Sequence, residues 1–426
     1  MKKPSAFSSP SLDTPSLTAP PISTGNLQDE EDKGFKSTRR LAIAAPFALA
    51  SFASSAAFAA ESEQEDEQDN SRARAAGVVF AMSNATAANR IFVYRRSDDG
   101  QLTRVGNVRT RGLGIGTDLD TQGGLRLGPD NRFLYAVNAG SDDISVFAVD
   151  GTHLNFVQKI YAGDEPLSLT LHGDLLYVLN GSVAGNGIRG FKVASNGRLT
   201  ALPDSFRALS SPIAVPGDIE FSPDGKFLLV PHKTTNVLLT PMNTIDGFTI
   251  GSDGYASAMP VANASFGLRP FSLAFRNDGK VIVVESFNAA PNRSAASSYN
   301  SFPDARINVI SGSVPNSQTD TCWVVVSKDQ RFAFTANFGS GTISSYRIAE
   351  SSGALSLIAG VAASTGATSQ PVDLALSADG RFLFLLLRGL GGVASFRIEA
   401  NGALTSRGIV VGGLPVDDGA SGLASY

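Results

Sequence analysis

From residue 77 onward, apolar and polar residues alternate in short bursts that recur along the chain. Two bursts show the pattern: Asp218-Ile-Glu-Phe-Ser-Pro-Asp-Gly-Lys-Phe-Leu-Leu-Val-Pro-His232 and Asp373-Leu-Ala-Leu-Ser-Ala-Asp-Gly-Arg-Phe-Leu-Phe-Leu-Leu-Leu-Arg388. The segments starting at Gly124 and Ser272 repeat it, and residues 168–180 and 322–337 fit it with a degraded turn. Each segment predicts an apolar strand, a tight turn and a second apolar strand. Asp-Gly between alternating hydrophobic residues is a strong short-range hairpin signal. A third strand follows, as in Ile144-Ser-Val-Phe-Ala-Val149, Ile343-Ser-Ser-Tyr-Arg-Ile348 and Val393-Ala-Ser-Phe-Arg-Ile398. A Gly-x-Leu step, at Gly197, Gly353 and Gly402, then opens a fourth. Four antiparallel strands in series make one propeller blade.

The turn positions Asp130, His172, Asp224, Asp278, Asp329 and Asp379 mark six such units, at intervals of about fifty residues, as expected of a propeller array. The remaining segments supply a seventh. Residues 78–108 hold second, third and fourth strands without a first, and residues 420–426 hold a first strand without the rest. The expected fold class is therefore all-β, a seven-bladed β-propeller over residues 77–426. Its ring is closed by the C-terminal strand pairing with the N-terminal strands, which removes open sheet edges. Six and eight blades are the competing counts. Residues 286–306 exceed the blade length and are expected to be an insertion on the top face, a lid or binding loop. Gly112-Leu-Gly-Ile-Gly116 mimics a dinucleotide loop, but no helix pattern follows it, so it reads as a blade connection.

The segment before the repeats has a different character. Residues 1–36 are rich in Ser, Pro and Thr and show no periodicity. Arg39-Arg40 then precede an apolar run over residues 41–59 that ends in Ala57-Phe-Ala59. Twin Arg, an apolar run and a small-x-small end are the marks of a bacterial twin-arginine export signal. The expected organisation is an n-region and signal over 1–59, an acidic linker over 60–76 and the propeller over 77–426. The expected location is the periplasm or outside the cell. A retained membrane anchor is the alternative reading of the run.

Composition narrows the function classes. The net charge is −4 and charged residues are only 17% of the chain, which argues against a nucleic-acid binder. One Cys precludes an intrachain disulfide or a Cys-cluster metal site, and three His leave little room for a His-rich one. No metal and no cofactor is expected. Asp218 and Glu220 are the weak candidates for holding a cation.

The repeat Ser-Pro-Asp-Gly-Lys-Phe-Leu, then Val-x-Asn, then Ile-Ser-x-Phe/Tyr-x-Ile, then Asn-Gly-x-Leu resembles the lactonase-like seven-bladed propellers. That family includes propeller-type 6-phosphogluconolactonases and carboxymuconate cyclases. The resemblance covers residues 77–426. It implies a site at one mouth of the central channel, built from His, Arg and Glu around a cyclic ester. Gly267-Leu-Arg269-Pro-Phe-Ser-Leu-Ala-Phe275, followed by Glu285, looks like the family stretch that carries an active-site Arg and Glu. Where the family has a His beside that Arg, this chain has Phe271.

Blade topology places the Asp-Gly turns on the bottom face, with the second-to-third loops and the blade connections on top. His153 and His172 fall on the bottom, so His232 is the one His that can reach the top. The expected catalytic residues are Glu285 or His232 as the base toward water, with Arg269 binding an anionic group or the oxyanion. Arg388, Asn337 and Asn138 are the expected substrate-binding residues. Asp417 and Asp418 are placed near the mouth, and Trp323 is expected to pack in the core. Two function classes stay open. One is hydrolysis of a small sugar or muconate-type lactone. The other is a non-catalytic propeller that binds a protein, glycan or cell-envelope partner. The expected partners are a small-molecule lactone or carbohydrate, or a protein; nucleic acid and a membrane span after signal cleavage are not expected, and the chain is expected to be monomeric.

Overall fold

The computed structural model describes residues 76–183, 185–416 and 419–426. The twin-arginine segment, the apolar run, the acidic linker to residue 75, and Asp417 and Asp418 lie outside the described residues. Contacts divide the chain into Met1–Ser71 and Arg72–Tyr426, and the second unit holds the fold.

That fold is a ring of seven antiparallel sheets. Blade 1 holds Gly77–Met82, Arg90–Arg96 and Leu102–Arg109, with Leu423–Ser425 as its innermost strand. The C-terminus closes the ring through Val79↔Ser425, Phe80↔Ala424 and Ala81↔Leu423. Each later blade takes its strands in order from the channel outward. The inner strands of blades 2, 3, 5, 6 and 7 are Leu125–Leu127, Pro166–His172, Pro270–Phe275, Thr321–Val326 and Pro371–Leu376. In blade 4 the inner strand is broken into Ala214–Pro216 and Glu220–Phe221.

Consecutive blades share apolar cores, because each middle strand is buried on both faces. Val281–Glu285 and Phe382–Leu387 are buried at every position, which accounts for their continuous apolar runs. Polar latches join the inner strands. Asp218 Oδ2 accepts from Leu273 N of the next blade at 3.2 Å, Asp373 Oδ2 from Leu423 N at 3.1 Å, and Ser272 Oγ donates to Cys322 O at 2.6 Å.

The bottom turns explain two features of the repeat. Arg381 lies over Phe382, 5.3 Å from its ring centroid, and pairs with Asp379 at 2.9 Å. The glycine of the Gly-x-Leu step is required by the neighbouring blade. A Cβ on Gly197 (φ +79) would stand 2.3 Å from the ring of Phe133, and one on Gly100 (φ +90) 2.1 Å from that of Phe382.

One expectation is corrected here. Residues 286–306 are not an insertion. They contain the third strand of blade 5, Ala295–Ser301, which pairs with Val281–Glu285 and with Ile307–Pro315. Its sequence, Ala-Ala-Ser-Ser-Tyr-Asn-Ser, carries no alternation of large apolar residues, so the strand leaves no hydrophobic signal. What remains of the apparent insertion is a top loop with a short 3-10 turn, Phe287–Ala289.

The upper mouth as a candidate active site

Two ring positions at the top of the blades decide what faces the channel. The first is the residue just before an inner strand. Glu165, Arg269, Asp320 and Gln370 occupy it in blades 3, 5, 6 and 7, with φ of 55°, 54°, 55° and 47°. None is glycine, and three precede a proline, which disfavours such a turn. Left-handed non-glycine backbone costs about 1–3 kcal/mol per residue and collects at functional sites.

From this position Arg269 Nη1 donates to Asp320 Oδ1 at 2.9 Å, and Arg388 Nε donates to Gln370 Oε1 at 3.2 Å. Residues 110–124 complete the mouth. This connection runs from blade 1 to blade 2 and is much longer than 162–165, 265–269, 316–320 or 365–370. Its middle crosses the channel. Thr121 Oγ1 donates to Leu167 O at 3.0 Å, and the Trp323 indole donates to Thr121 O at 3.0 Å. Gln122 pairs with the Val324 backbone in both directions, at 3.0 and 2.9 Å.

Its two carboxylates meet the cations of the mouth. Asp120 Oδ2 lies 2.7 Å from Lys233 Nζ and 3.6 Å from Arg269, and Asp118 pairs with Arg388. Phe271, Trp323 and Phe338 floor the cluster. Phe271 and Trp323 have ring centroids 5.0 Å apart, Lys233 sits 4.7 Å over Phe271, and Arg388 sits 4.7 Å over Phe338. Phe271, the residue that stands where the family has His, is thus the aromatic base of the cation cluster. Burial pushes the Asp320 carboxyl above its ordinary value, although Arg269 opposes the shift. Arg269 and Cys322 both bond to its Oδ1.

A seven-bladed lactonase propeller family model matches residues 78–215 and 244–372. The chain belongs to this family. Structures similar to this lactonase-family propeller include a proposed 6-phosphogluconolactonase of Bacteroides fragilis (18% identity, 83% of this chain and 99% of that one, TM-score 0.61). A second, of Bacteroides uniformis, is 15% identical over 82% of this chain and 99% of its own, with TM-score 0.62. The periplasmic gluconolactonase of Pseudomonas aeruginosa is 17% identical over 82% and 98%, with TM-score 0.59. At such identities these likenesses concern the fold. No curated protein matches the lactonase-family chain in sequence.

The second ring position is the residue that ends or nearly ends the second strand, and it faces away from the channel. Asn138 donates to Asp143 at 2.7 Å and Ser145 at 2.9 Å and accepts from Thr110 at 2.6 Å. Asn337 repeats this, donating to Thr342 and Ser344 at 2.9 Å each and accepting from Thr321 at 2.6 Å. Glu285 stands at the same place. It accepts from Ser297 at 2.5 Å, Ser313 at 2.6 Å and Gly267 N at 2.9 Å. Burial raises its carboxyl and these bonds oppose the rise. His232 stands there too, 3.0 Å from Asp246, with both side chains fully buried. Asn138, Asn337 and Glu285 brace the third strand and the loop above it, while His232 is packed beside Asp246 with neither ring nitrogen hydrogen-bonded.

Of the residues anticipated for catalysis, the structure therefore brings only Arg269 to the mouth. Glu285 and His232 lie inside blades 5 and 4. Arg388 joins Arg269 at the mouth, whereas Asn138 and Asn337 do not. Trp323 packs in the core, as expected, and also donates its indole to the crossing segment. Lys233, Asp118, Asp120 and Asp320 were not anticipated. The length of residues 110–124 was the available signal for Asp118 and Asp120, the alignment of Asp320 with Arg269 was the signal for Asp320, and Lys233 left none. Lower in the channel, Arg126 pairs with Glu220 and lies 3.8 Å from Asp218. Together with Asn277 and Lys328 it lines a cavity of 480 Å³. Among the described residues no cluster of His, Cys, Asp and Glu is arranged to hold a metal ion.

Proposed function

We propose that the chain is an exported lactone hydrolase acting on a small, negatively charged sugar or muconate-type lactone at the upper mouth. The observation that carries this reading is the gathering of Lys233, Arg269 and Arg388 over an aromatic floor at the channel opening, with Asp320 held by Arg269 beside them. Family membership and the gluconolactonase named among the similar structures support the ester class. The twin arginines and the apolar run over 41–59 support export. Among the described residues no helix is long and apolar enough to cross a membrane.

In this reading Lys233 and Arg388 hold the anionic substituent of the lactone. Arg269 donates to the carbonyl oxygen and stabilises the oxyanion. Asp320, through Oδ2, takes a proton from water as the oxygen attacks the carbonyl carbon. The ring C–O bond then breaks, and the departing alkoxide takes the proton back from Asp320. The products are an open hydroxy acid and the unchanged enzyme. The raised carboxyl makes Asp320 a stronger base than a surface aspartate.

The test is proton release in a pH-stat with the purified chain, comparing a phosphorylated aldonolactone with its neutral parent. The reading expects turnover above the spontaneous rate and a preference for the charged ester. No turnover of either, or of muconolactone, overturns it. The binding-module reading draws on an apolar tip on the same face. Val237, Leu238 and Leu239 cap the second-to-third loop of blade 4, and Leu238 is 93% exposed.

A further inference from the structure

The connection that crosses the upper mouth is tethered on both sides of its two carboxylates. On the entry side, Gly114 N donates to Ala85 O at 2.9 Å, Gly116 N to Asn84 O at 3.0 Å, and Asn84 Nδ2 to Thr117 O at 2.6 Å. The fit is close: a Cβ on Gly114 would stand 2.0 Å from the Asn84 carbonyl oxygen. On the exit side, Thr121 and Gln122 are bound to Leu167, Trp323 and Val324. Gly116 (φ +68) turns the chain into the mouth and Gly123 (φ +81) turns it out. Between the tethers, Asp118 and Asp120 are held by Arg388, Lys233 and Arg269.

All three cations of the mouth thus have a partner in a segment that belongs to no blade strand. The match is one of charge. Lys233 is 1% exposed, and a buried cation is tolerated only with a counter-charge present. Asp120 supplies it at 2.7 Å.

We propose that residues 118–120 are an internal, displaceable competitor: Asp118 and Asp120 occupy the anion site, and an external phosphate or carboxylate ligand must lift this strap to bind Lys233 and Arg388, which also frees Arg269 from Asp120. The proposal rests on reading the upper mouth as an anion site. Binding then exchanges one set of ion pairs for another, so the empty protein keeps its buried lysine neutralised and affinity is set by the difference between the two sets. The hinges are Gly116 at one end and the tethered Thr121 at the other.

The experiment uses the full chain and inorganic phosphate as the probe. Deuterium uptake is followed by mass spectrometry with and without phosphate, and affinity is read from phosphorus NMR line broadening for the natural chain and an Asp118→Asn, Asp120→Asn variant. The expected result is unusual for a ligand. Phosphate increases uptake in the peptide covering 118–120, because the strap is released. The double variant binds phosphate about tenfold more tightly, since the three ion pairs made by Asp118 and Asp120 no longer compete. Equal affinities with no rise in uptake overturn the strap proposal and leave the anion site standing. No phosphate binding by either form overturns both. If the double variant does not fold, the uptake of the natural chain decides alone, and protection of 118–120 by phosphate contradicts the proposal.

Discussion

The two ring positions at the top of the propeller differ by little in sequence and completely in role. Arg269 is covalently joined to Pro270, which pairs with Glu285 across the strand register. Yet Arg269 turns over the mouth while Glu285 turns into the blade, toward Ser297 and Ser313. The cause is backbone. Arg269 and Asp320 sit in left-handed turns, which take them out of the strand alternation. Glu285 and Asn337 are still strand residues, and their side chains stand perpendicular to the sheet. A charged residue at the rim of a propeller therefore acts on the channel where it leaves the strand, as Arg269 and Asp320 do, or where the strand register breaks, as at Lys233 between His232 and Thr234.

Several substitutions sharpen or break this contrast. The largest effect is expected at the mouth. Asp320→Asn should lower kcat by about 10²–10⁴-fold, the usual contribution of a general base, with KM little changed in initial-rate measurements. The acid limb of the kcat profile should lie above the ordinary carboxylate range of about 4, because burial raises Asp320 and the base form is lost as pH falls through that raised value. Next comes the bracing position. Glu285→Ala leaves Ser297, Ser313 and Gly267 N without their acceptor and should cost about 3 kcal/mol in a denaturant titration, as for one buried network partner. Asn337→Ala should cost a similar amount; if either instead abolishes turnover with stability intact, the contrast fails.

A smaller effect is expected from Arg388→Met, which removes one anion contact and should raise KM about tenfold for a charged lactone, with kcat within about twofold. A change of slope is expected at the waist of the channel. Burial lifts the Asp373 carboxyl to about 7. Its folded value thus lies above the unfolded one, so its contribution is present below about pH 4 and is lost as pH rises to about 7. Denaturation midpoints measured from pH 5 to 8 should fall for the natural chain and fall less for Asp373→Asn.

The ring of blades was legible because three blades carry an Asp-Gly turn between apolar runs, three more a variant of it, and several a glycine that the neighbouring blade requires. The C-terminal closure followed from the unpaired first strand at 420–426. The third strand of blade 5 was not legible, since Ala295, Ser297 and Ser298 are buried as small residues rather than large hydrophobic ones. At the site, topology correctly put Arg269 and Arg388 on the upper face and gave Glu285 the right height. It could not give the side-chain direction of Glu285 or His232, which depends on whether the backbone remains in the strand. The crossing segment was visible only as a connection, because nothing in Asp118 or Asp120 alone marks them as partners of Lys233, Arg269 and Arg388 from three other blades.

The account's central claim is that the reacting carboxylate belongs to the mouth and not to the bracing ring. The most direct test is the turnover of Asp320→Asn and Glu285→Gln, measured side by side on one charged lactone with the folded fraction of each determined. The account predicts that Asp320→Asn loses turnover while Glu285→Gln, which keeps an acceptor oxygen for Gly267 N, retains it. Loss in Glu285→Gln with Asp320→Asn still active would contradict it.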